Sequence, residues 1–326
     1  MEKHLKFDQE KPFMKIFLCE TIHPAAYRLL EERGEIISSW ERLGEADAVL
    51  SRAITVDAVM MDRMPRLRVI AVHGTGTDGI DLEAAKRRGI RVVYAPHMNA
   101  NAVAELAVNL LLTVMRKTVY ARKLIDTAEE KDKTAAMAFA QSELRGCELR
   151  GKTAGLVGFG AIGKRIAGIL HYGFGMEVTA WSPSLTPEKA ALSGCQAAKD
   201  PDEVFRKSDA VFLALPLNKN TAGLVNRDTL AGMKRGAVLV NTSRAGLVEE
   251  DALREALESG HLFGAASDVL REEFPPADYP LLKLDNFVAT PHIGANTDEA
   301  LYAVGMSCAK QILDVLEGRE PEYPVV

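Results

Sequence analysis

The stretch TAGLVGFGAIG, residues 153–163, decides the fold. An apolar run ends in the pattern GxGxxG, formed by Gly158, Gly160 and Gly163, and an amphipathic helical segment follows directly. In such a strand–turn–helix unit the first glycine permits a tight turn, the second lets a pyrophosphate approach the backbone, and the third lets helix and strand pack closely. The alternative is a glycine-rich turn without a ligand, which the flanking strand and helix disfavour.

Five more apolar runs follow this stretch, with helical segments between them. They are MEVTAWS (176–182), DAVFLALP (209–216), AVLVNTS (237–243), LFGAASDV (262–269) and FVATPH (287–292). Six strands alternating with helices predict a doubly wound parallel sheet of the Rossmann type, preceded by a buried helix over residues 101–116.

A second parallel sheet is predicted before residue 100. Its strands are MKIFLCE (14–20), ADAVLSR (46–52), LRVIAVHG (67–74) and IRVVYAP (90–96). A helix over 298–318 is expected to pack back on it. The fold class is therefore α/β, with two doubly wound parallel-sheet domains. A Rossmann cofactor domain (101–297) is inserted into a flavodoxin-like substrate domain (14–100 and 298–326). Residues 1–13 are predicted to be a polar N-terminal extension, and residues 117–150 a helical arm or subunit-contact element.

Composition excludes several classes of protein. The 326 residues are 47% hydrophobic and 26% charged, with a net charge of −5. That balance argues against a nucleic-acid surface, and no apolar run reaches the roughly 20 residues that span a bilayer. The four cysteines contain no CxxC pair, so we expect no metal site, free thiols and a cytoplasmic location.

Three residues after the glycine stretch suggest acid–base chemistry on an anionic substrate. Arg244 follows a strand, where a guanidinium can clamp a carboxylate and polarise a carbonyl. His292 closes the last predicted strand and can donate a proton to a forming alkoxide. Glu273, on the loop after the preceding strand, can orient that imidazole and keep it protonated. Each has an ordinary alternative: a surface arginine, a strand cap and a solvated charge. Their shared position at strand ends beside a dinucleotide loop favours the active-site interpretation.

Three other features bear on binding. Ser182 stands where an acidic residue for the ribose hydroxyls is expected, so NAD is favoured while NADP stays open. Asp268 can accept a hydrogen bond from the nicotinamide carboxamide, or it is a turn aspartate. HGTGTDGID (73–81) can form a backbone nest for a substrate carboxylate around Thr75, or a tight turn capped by Asp78.

Taken together, these residues resemble the D-2-hydroxyacid dehydrogenase family. The likeness extends over nearly the whole chain after residue 14, and it is to the short members of the family. The motifs that carry it are VAEL (103–106), ELRGKTAGLVGFGAIG (148–163), SDAVFLALPLNKNT (208–221), MKRGAVLVNTSRAGLVEEDAL (233–253), GAASDV (264–269) and TPHIGANT (290–297).

The resemblance implies a hydride transfer between NAD(P)(H) and C2 of a small anionic 2-hydroxy or 2-oxo acid, with D stereospecificity, in a homodimer. It gives Arg244 the substrate carboxylate, Glu273 the histidine partner and His292 the acid–base role. The predicted cofactor contacts are Gly158, Gly160, Ala161, Ile162, Gly163, Ser182, Leu215, Pro216, Thr221, Thr242, Ser243, Asp268 and His292. The predicted substrate contacts are His73, Gly74, Thr75, Gly76, Asn99 and Arg244.

Four positions depart from the family pattern. Ala245 replaces a glycine, Leu270 a phenylalanine and Phe274 a proline beside Glu273. Val72 stands where an arginine is common, which disfavours a phosphate-bearing substrate. The alternative function is a nicotinamide-sensing, corepressor-like binding protein with a vestigial redox site. An intact arginine, glutamate and histidine set argues against that alternative.

Overall fold

The computed structural model describes residues 13–127 and 133–326. The predicted N-terminal extension lies outside the described residues except for Phe13, and so does part of the predicted arm. The chain divides into two compact units. We call the described residues up to Asn99 together with Asp298–Val326 the terminal unit, and Ala100–Thr297 the central unit.

The terminal unit contains a five-stranded parallel sheet. Its strands are β1 (Met14–Leu18), β2 (Gly34–Ile37), β3 (Ala48–Ser51), β4 (Val69–Val72) and β5 (Arg91–Tyr94), in the spatial order β2-β1-β3-β4-β5. This is the flavodoxin-like order, as the sequence predicted. Every residue of β3 and β4 is buried, because helices cover both faces of a parallel sheet.

The central unit contains a seven-stranded parallel sheet. Its strands are β6 (Thr153–Val157), β7 (Glu177–Trp181), β8 (Gln196–Ala197), β9 (Ala210–Leu213), β10 (Val238–Asn241), β11 (Gly264–Ser267) and β12 (Phe287–Ala289). The spatial order is β12-β11-β10-β9-β6-β7-β8. Read from β8 to β11, it is the Rossmann order 3-2-1-4-5-6 with β12 added at the edge, which confirms the predicted fold class.

Twelve α-helices are found in the described residues. They are α1 (Pro24–Glu31), α2 (Ala58–Asp62), α3 (Leu82–Arg87), α4 (Ala100–Met115), α5 (Thr118–Thr127), α6 (Lys133–Glu143), α7 (Ala161–Gly168), α8 (Pro187–Ala191), α9 (Pro201–Lys207), α10 (Arg227–Gly232), α11 (Glu250–Glu258) and α12 (Asp298–Leu316). Capping residues set several of the boundaries. The Asp81 side chain accepts from the Ala84 N–H at 2.8 Å to begin α3, and Gly89, with φ of +69°, follows its end.

Two strands were missed by the sequence prediction, β2 and β8. Both lie at sheet edges, where a strand has only one paired neighbour. Strand β2 carries a half-buried glutamate, Glu35, and β8 has only two residues, so neither forms the continuous apolar run that identifies a central strand.

The central strands β6, β9, β10, β11 and β12 end in register. Val157 lies opposite Leu213, Leu213 opposite Asn241, and Asn241 opposite Ser267, which pairs in turn with the β12 strand end at Ala289. Neighbouring parallel strands lie about 4.8 Å apart, so the residues that follow these ends are brought to one edge of the sheet. The candidate catalytic and cofactor residues of the central unit leave the sheet at this edge.

Candidate active site

The glycine loop after β6 has the backbone geometry that its sequence requires. Gly158 has φ of +102°, and a Cβ there would lie 2.2 Å from the Ala214 carbonyl oxygen. A Cβ on Gly163 would lie 2.4 Å from the carbonyl oxygen of Gly158, so this position joins helix to strand without space for a side chain. A Cβ on Gly160 would meet no atom within 4 Å. The loop therefore packs tightly on two sides and stays open on the third.

Gly160 is the N-cap of α7, so the open side of the loop coincides with the start of a helix. The N–H groups of Ala161 and Ile162 belong to its first turn, where amides have no partner within the helix. A pyrophosphate placed there meets backbone donors and the positive end of the helix dipole. The residues of this loop thus fit the diphosphate of a dinucleotide cofactor.

The other predicted cofactor residues of the sheet edge form two short loops. After β9, the Thr221 hydroxyl donates to the Pro216 carbonyl at 2.8 Å and closes the loop that begins with buried Leu215. After β10, the Ser243 hydroxyl donates to the Leu213 carbonyl at 2.8 Å, which ties Thr242 and Ser243 to the neighbouring strand. Their contacts with a cofactor remain predictions.

His292 and Glu273 are brought together across two loops. The Nδ1 atom of His292 lies 2.9 Å from Oε1 of Glu273, and both side chains are a little under half exposed. Strand β12 ends at Ala289, so His292 lies three residues beyond it and does not close the strand as the sequence suggested. The pair therefore sits in loops that solvent reaches, and a small ligand can reach it too.

His292 occupies a turn with unusual backbone geometry. Its φ is +53°, which non-glycine residues seldom adopt and which histidine adopts more often than most. Its N–H donates to the Asp268 carbonyl at 2.8 Å. Such a conformation costs about 1–3 kcal/mol and persists only when its surroundings hold it in place.

The Asp268 carboxylate provides that support. The side chain is 1% exposed. Its Oδ1 atom accepts from the Thr290 hydroxyl at 2.6 Å and from the Ile293 N–H at 2.8 Å, and Oδ2 accepts from the Gly294 N–H at 2.8 Å. One buried carboxylate therefore fixes residues on both sides of His292. The predicted contact of Asp268 with a nicotinamide carboxamide remains a prediction beside this role.

Arg244 leaves β10 through a turn that Asn241 organises. The buried Asn241 amide donates to the Arg244 carbonyl at 2.9 Å and accepts from the Ser243 N–H at 3.0 Å. The Arg244 side chain is half-buried, and one of its guanidinium nitrogens donates to the Ser243 carbonyl at 2.8 Å. Asn241 was not among the residues predicted from the sequence, although an amide at the end of an otherwise apolar strand is a signal for such a turn.

The predicted substrate loop of the terminal unit follows β4. The structure records no hydrogen bond from the N–H groups of Thr75 or Gly76 to any described residue, whereas the Gly74 N–H donates to the Val72 carbonyl at 2.8 Å. The His73 ring is 7% exposed, and no described atom accepts or donates at its Nε2. Burial lowers the pKa of His73 to about 4, which keeps the ring neutral.

The imidazole of His73 lies close to Gly305 of α12, where an added Cβ would approach Nε2 to 3.6 Å. Asn99, the last residue of this segment, is half-buried. Direct substrate contacts by His73 and Asn99 stay predictions.

Within residues 13–127 and 133–326, no group of three or more His, Cys, Asp or Glu side chains is arranged to hold a metal ion. In the same part of the chain, no helix combines the length and apolar character needed to cross a membrane.

Comparison with known proteins places these features in a family. Residues 108–294 match the model described as "D-isomer specific 2-hydroxyacid dehydrogenase, NAD binding domain". The chain is 36% identical to a D-3-phosphoglycerate dehydrogenase of Methanocaldococcus jannaschii over 96% of its own length and 59% of that protein. It is 38% identical to a hydroxypyruvate reductase of Thermotoga maritima, over 83% of this chain and 85% of that one.

A solved structure shares the fold as well as the sequence. The TT0316 protein of Thermus thermophilus superposes with a TM-score of 0.84 at 36% identity, over 96% of this chain and all of that one. The chain spans only 50–59% of the length of the first three phosphoglycerate dehydrogenases that it matches. The family model and the hydroxypyruvate reductase, matched over most of both chains, establish the relationship: this chain belongs to the D-isomer specific 2-hydroxyacid dehydrogenase family and carries its NAD-binding domain.

Proposed function

We propose that this chain is an NAD(P)-dependent oxidoreductase that interconverts a small D-2-hydroxy acid and the corresponding 2-oxo acid. The observation that carries the proposal is the pairing of His292 with Glu273 at 2.9 Å, at the same sheet edge as the dinucleotide loop. A binding protein without redox activity has no need of a buried carboxylate that supports a strained histidine turn. Membership of the dehydrogenase family supports the same conclusion.

A dinucleotide held at the glycine loop would supply the hydride for reduction of C2 and accept it in the reverse direction. In reduction, the electron pair of the carbonyl π bond moves to the oxygen as the hydride adds to carbon. His292 then gives a proton from Nε2 to that oxygen, and Glu273 stabilises the imidazolium through Nδ1. The histidine regains its proton from solvent, and oxidation of the hydroxy acid reverses each transfer.

Arg244 is the residue we assign to the substrate carboxylate in the central unit. A guanidinium offers two parallel N–H donors to a carboxylate, and the Asn241 turn fixes the backbone from which the side chain extends. In the terminal unit, the N–H groups of Thr75 and Gly76 are the donors we assign to an anionic group of the substrate.

The substrate we propose carries no phosphate. The related proteins include enzymes named for phosphoglycerate and for hydroxypyruvate. Val72 is buried at the end of β4, directly before the His73–Gly76 loop, and brings no cation to it. On the ground of Val72 alone, we propose a short, unphosphorylated acid of the hydroxypyruvate or glyoxylate kind as the substrate.

We further propose a cytoplasmic homodimer that uses α5 and α6 as the contact. Among the side chains of these helices that the structure describes, the exposed large apolar ones are Val119, Ile125, Met137 and Phe139. Exposed apolar side chains of this size are typical of a surface that a second copy covers. Light scattering on the purified protein gives the mass directly, and a monomer at micromolar concentration contradicts this assignment.

A reductase screen tests the function. Glyoxylate, hydroxypyruvate, pyruvate, phosphohydroxypyruvate and bulkier 2-oxo acids are each mixed with NADH or NADPH, and the loss of nicotinamide absorbance is followed. We expect turnover with at least one unphosphorylated acid, and a fall of about 10²–10⁴-fold in His292→Ala with dinucleotide affinity retained. Absence of turnover across the screen, or full turnover in His292→Ala, contradicts the proposal.

A further inference from the structure

The ribose end of the dinucleotide site differs from the usual NAD-selective arrangement. In a doubly wound dinucleotide domain, a carboxylate at the end of the second strand binds the ribose 2′-hydroxyl, whereas a nearby cation accommodates a 2′-phosphate. The second strand is β7, which ends at Trp181, and Ser182 follows. The residue that excludes a 2′-phosphate in NAD-selective domains is therefore a half-buried serine in this chain.

A cleft of about 330 Å³ opens beside Ser182 in the central unit. Its lining residues are Phe159, Lys164, Ser182, Ser184, Leu185, Lys189, Leu192 and Ser193. Two of them are cations, three are hydroxyl donors and none is an acid. The chain as a whole carries a net charge of −5, so this positive cleft runs against the overall charge.

The backbone after β7 directs one of the two cations to the turn at Ser182. The Leu185 N–H donates to the Ser182 carbonyl at 3.1 Å and closes the turn. The Thr186 hydroxyl then caps α8 by accepting from the Lys189 N–H, and the Lys189 ammonium reaches back to the Ser184 carbonyl at 3.4 Å. The second cation, Lys164, directly follows the last glycine of the loop and comes from the first turns of α7.

Glu188, the acidic residue of α8, is absent from the cleft lining. A hydrogen bond with the Thr186 side chain lowers the pKa of its carboxyl. Both lysines therefore line the cleft, and no acidic residue lines it with them.

We propose that this cleft binds the 2′-phosphate of NADP(H), with Lys164 and Lys189 as its cationic partners and Ser182 and Ser184 as hydroxyl donors. A phosphate monoester carries about −1.5 to −2 charges at pH 7, which two lysines balance. The proposal rests on the proposed function in one respect, that a dinucleotide occupies the glycine loop. It names the form of the cofactor that the chain accepts.

The test compares two fragments that need no turnover. Adenosine 2′,5′-bisphosphate and adenosine 5′-monophosphate differ only in the 2′-phosphate, and calorimetry gives the dissociation constant of each. We expect the bisphosphate to bind roughly tenfold more tightly, as one well-placed charged contact of about 1.4 kcal/mol provides. Equal binding, or tighter binding of the monophosphate, overturns the proposal.

Variants of the cleft locate the effect. Lys189→Ala should lower affinity for the bisphosphate about fivefold or more and leave the monophosphate within twofold, while Lys189→Arg should retain the preference. Ser182→Asp places a carboxylate at the end of β7 and should reverse the preference, so that the monophosphate binds more tightly than the bisphosphate. Lys207 is an exposed lysine at the end of α9 in the same unit. Lys207→Ala also removes one positive charge and should change neither affinity. A preference that survives both Lys189→Ala and Lys164→Ala contradicts the assigned partners.

The result stays distinct from that of the reductase screen. If no 2-oxo acid is reduced but the bisphosphate preference depends on Lys189, the proposed reaction fails and the cleft assignment stands. If a 2-oxo acid is reduced with NADH and the bisphosphate shows no preference, the reaction stands and the cleft assignment fails.

Discussion

Replacement of Asp268 by asparagine separates the positioning of His292 from cofactor contact. The carboxylate accepts three hydrogen bonds, two at Oδ1 and one at Oδ2, all from the turn around His292. Asparagine keeps one oxygen for the Thr290 and Ile293 donors. Its NH₂ group then faces the Gly294 N–H, so a charge-assisted hydrogen bond becomes a contact between two donors.

The size of the effect follows from that exchange. A hydrogen bond to a charged group contributes about 1.5–3 kcal/mol, so we expect Asp268→Asn to lower the free energy of unfolding by at least about 2 kcal/mol. For a unit of this size, Tm falls by roughly 2–4 °C per kcal/mol, which gives ~4–8 °C for the protein without cofactor. A shift of about 1 Å at the His292 imidazole should lower kcat by roughly 10²-fold.

Three measurements decide the outcome: thermal unfolding without cofactor, calorimetric affinity for dinucleotide, and kcat. Asp285→Asn is the matched control, because that half-exposed carboxylate pairs with Lys123 at the surface. Its Tm should fall by less than about 4 °C, since exposed ion pairs contribute about 0–1 kcal/mol. If Asp268→Asn keeps the wild-type Tm and loses only dinucleotide affinity, Asp268 is a cofactor contact and the positioning argument is wrong.

Three other changes probe different parts of the molecule. Glu273→Gln should lower kcat at least tenfold with unchanged Tm, since the amide cannot stabilise the His292 imidazolium; unchanged kcat removes Glu273 from the mechanism. Arg244→Lys should raise KM for the 2-oxo acid about tenfold while dinucleotide affinity stays constant, because the bidentate contact is lost. Burial depresses the pKa of His73 from 6.5 to about 4, so the unfolded chain binds the extra proton and stability falls as pH drops from 6.5 toward 4. Linkage gives a loss of about 2 kcal/mol in the free energy of unfolding between pH 7.5 and 5. Measured by unfolding at each pH, this loss should be absent in His73→Phe. An equal loss in that variant shows that another group causes the pH dependence.

The fold could be predicted from the sequence because buried parallel strands consist of uninterrupted runs of apolar residues. Strands such as β9 and β10 are buried at every residue, so their runs could not be mistaken for amphipathic helices. The edge strands β2 and β8 lack that signal, since solvent replaces one neighbour. Strand ends were predicted too late in the chain, because the residues that leave the sheet toward the site, such as Ala214 after β9, continue the apolar composition.

The candidate site was predictable in its residue types and only partly in its geometry. Glu273 and His292 could be paired because both follow adjacent strands, and their separation of 2.9 Å agrees with that reasoning. The support beneath them could not be predicted. The three hydrogen bonds to Asp268 depend on a positive φ at His292 and on Gly294, where a Cβ would come within 2.8 Å of Oδ2. A sequence shows such a glycine without showing what approaches it.

The return of α12 to the terminal unit sets the order in which the chain can mature on the ribosome. Cys308, Ala309 and Ile312 are fully enclosed in that unit's core, yet the central unit is synthesised between them and the strands they cover. At ~5–20 residues per second, the intervening segment takes roughly 10–40 s to emerge. Throughout that interval, the face of the first sheet on which α12 packs lacks this helix. The central unit is continuous, so it can complete its own core first. The sheet of the terminal unit stays partly uncovered until α12 has been synthesised.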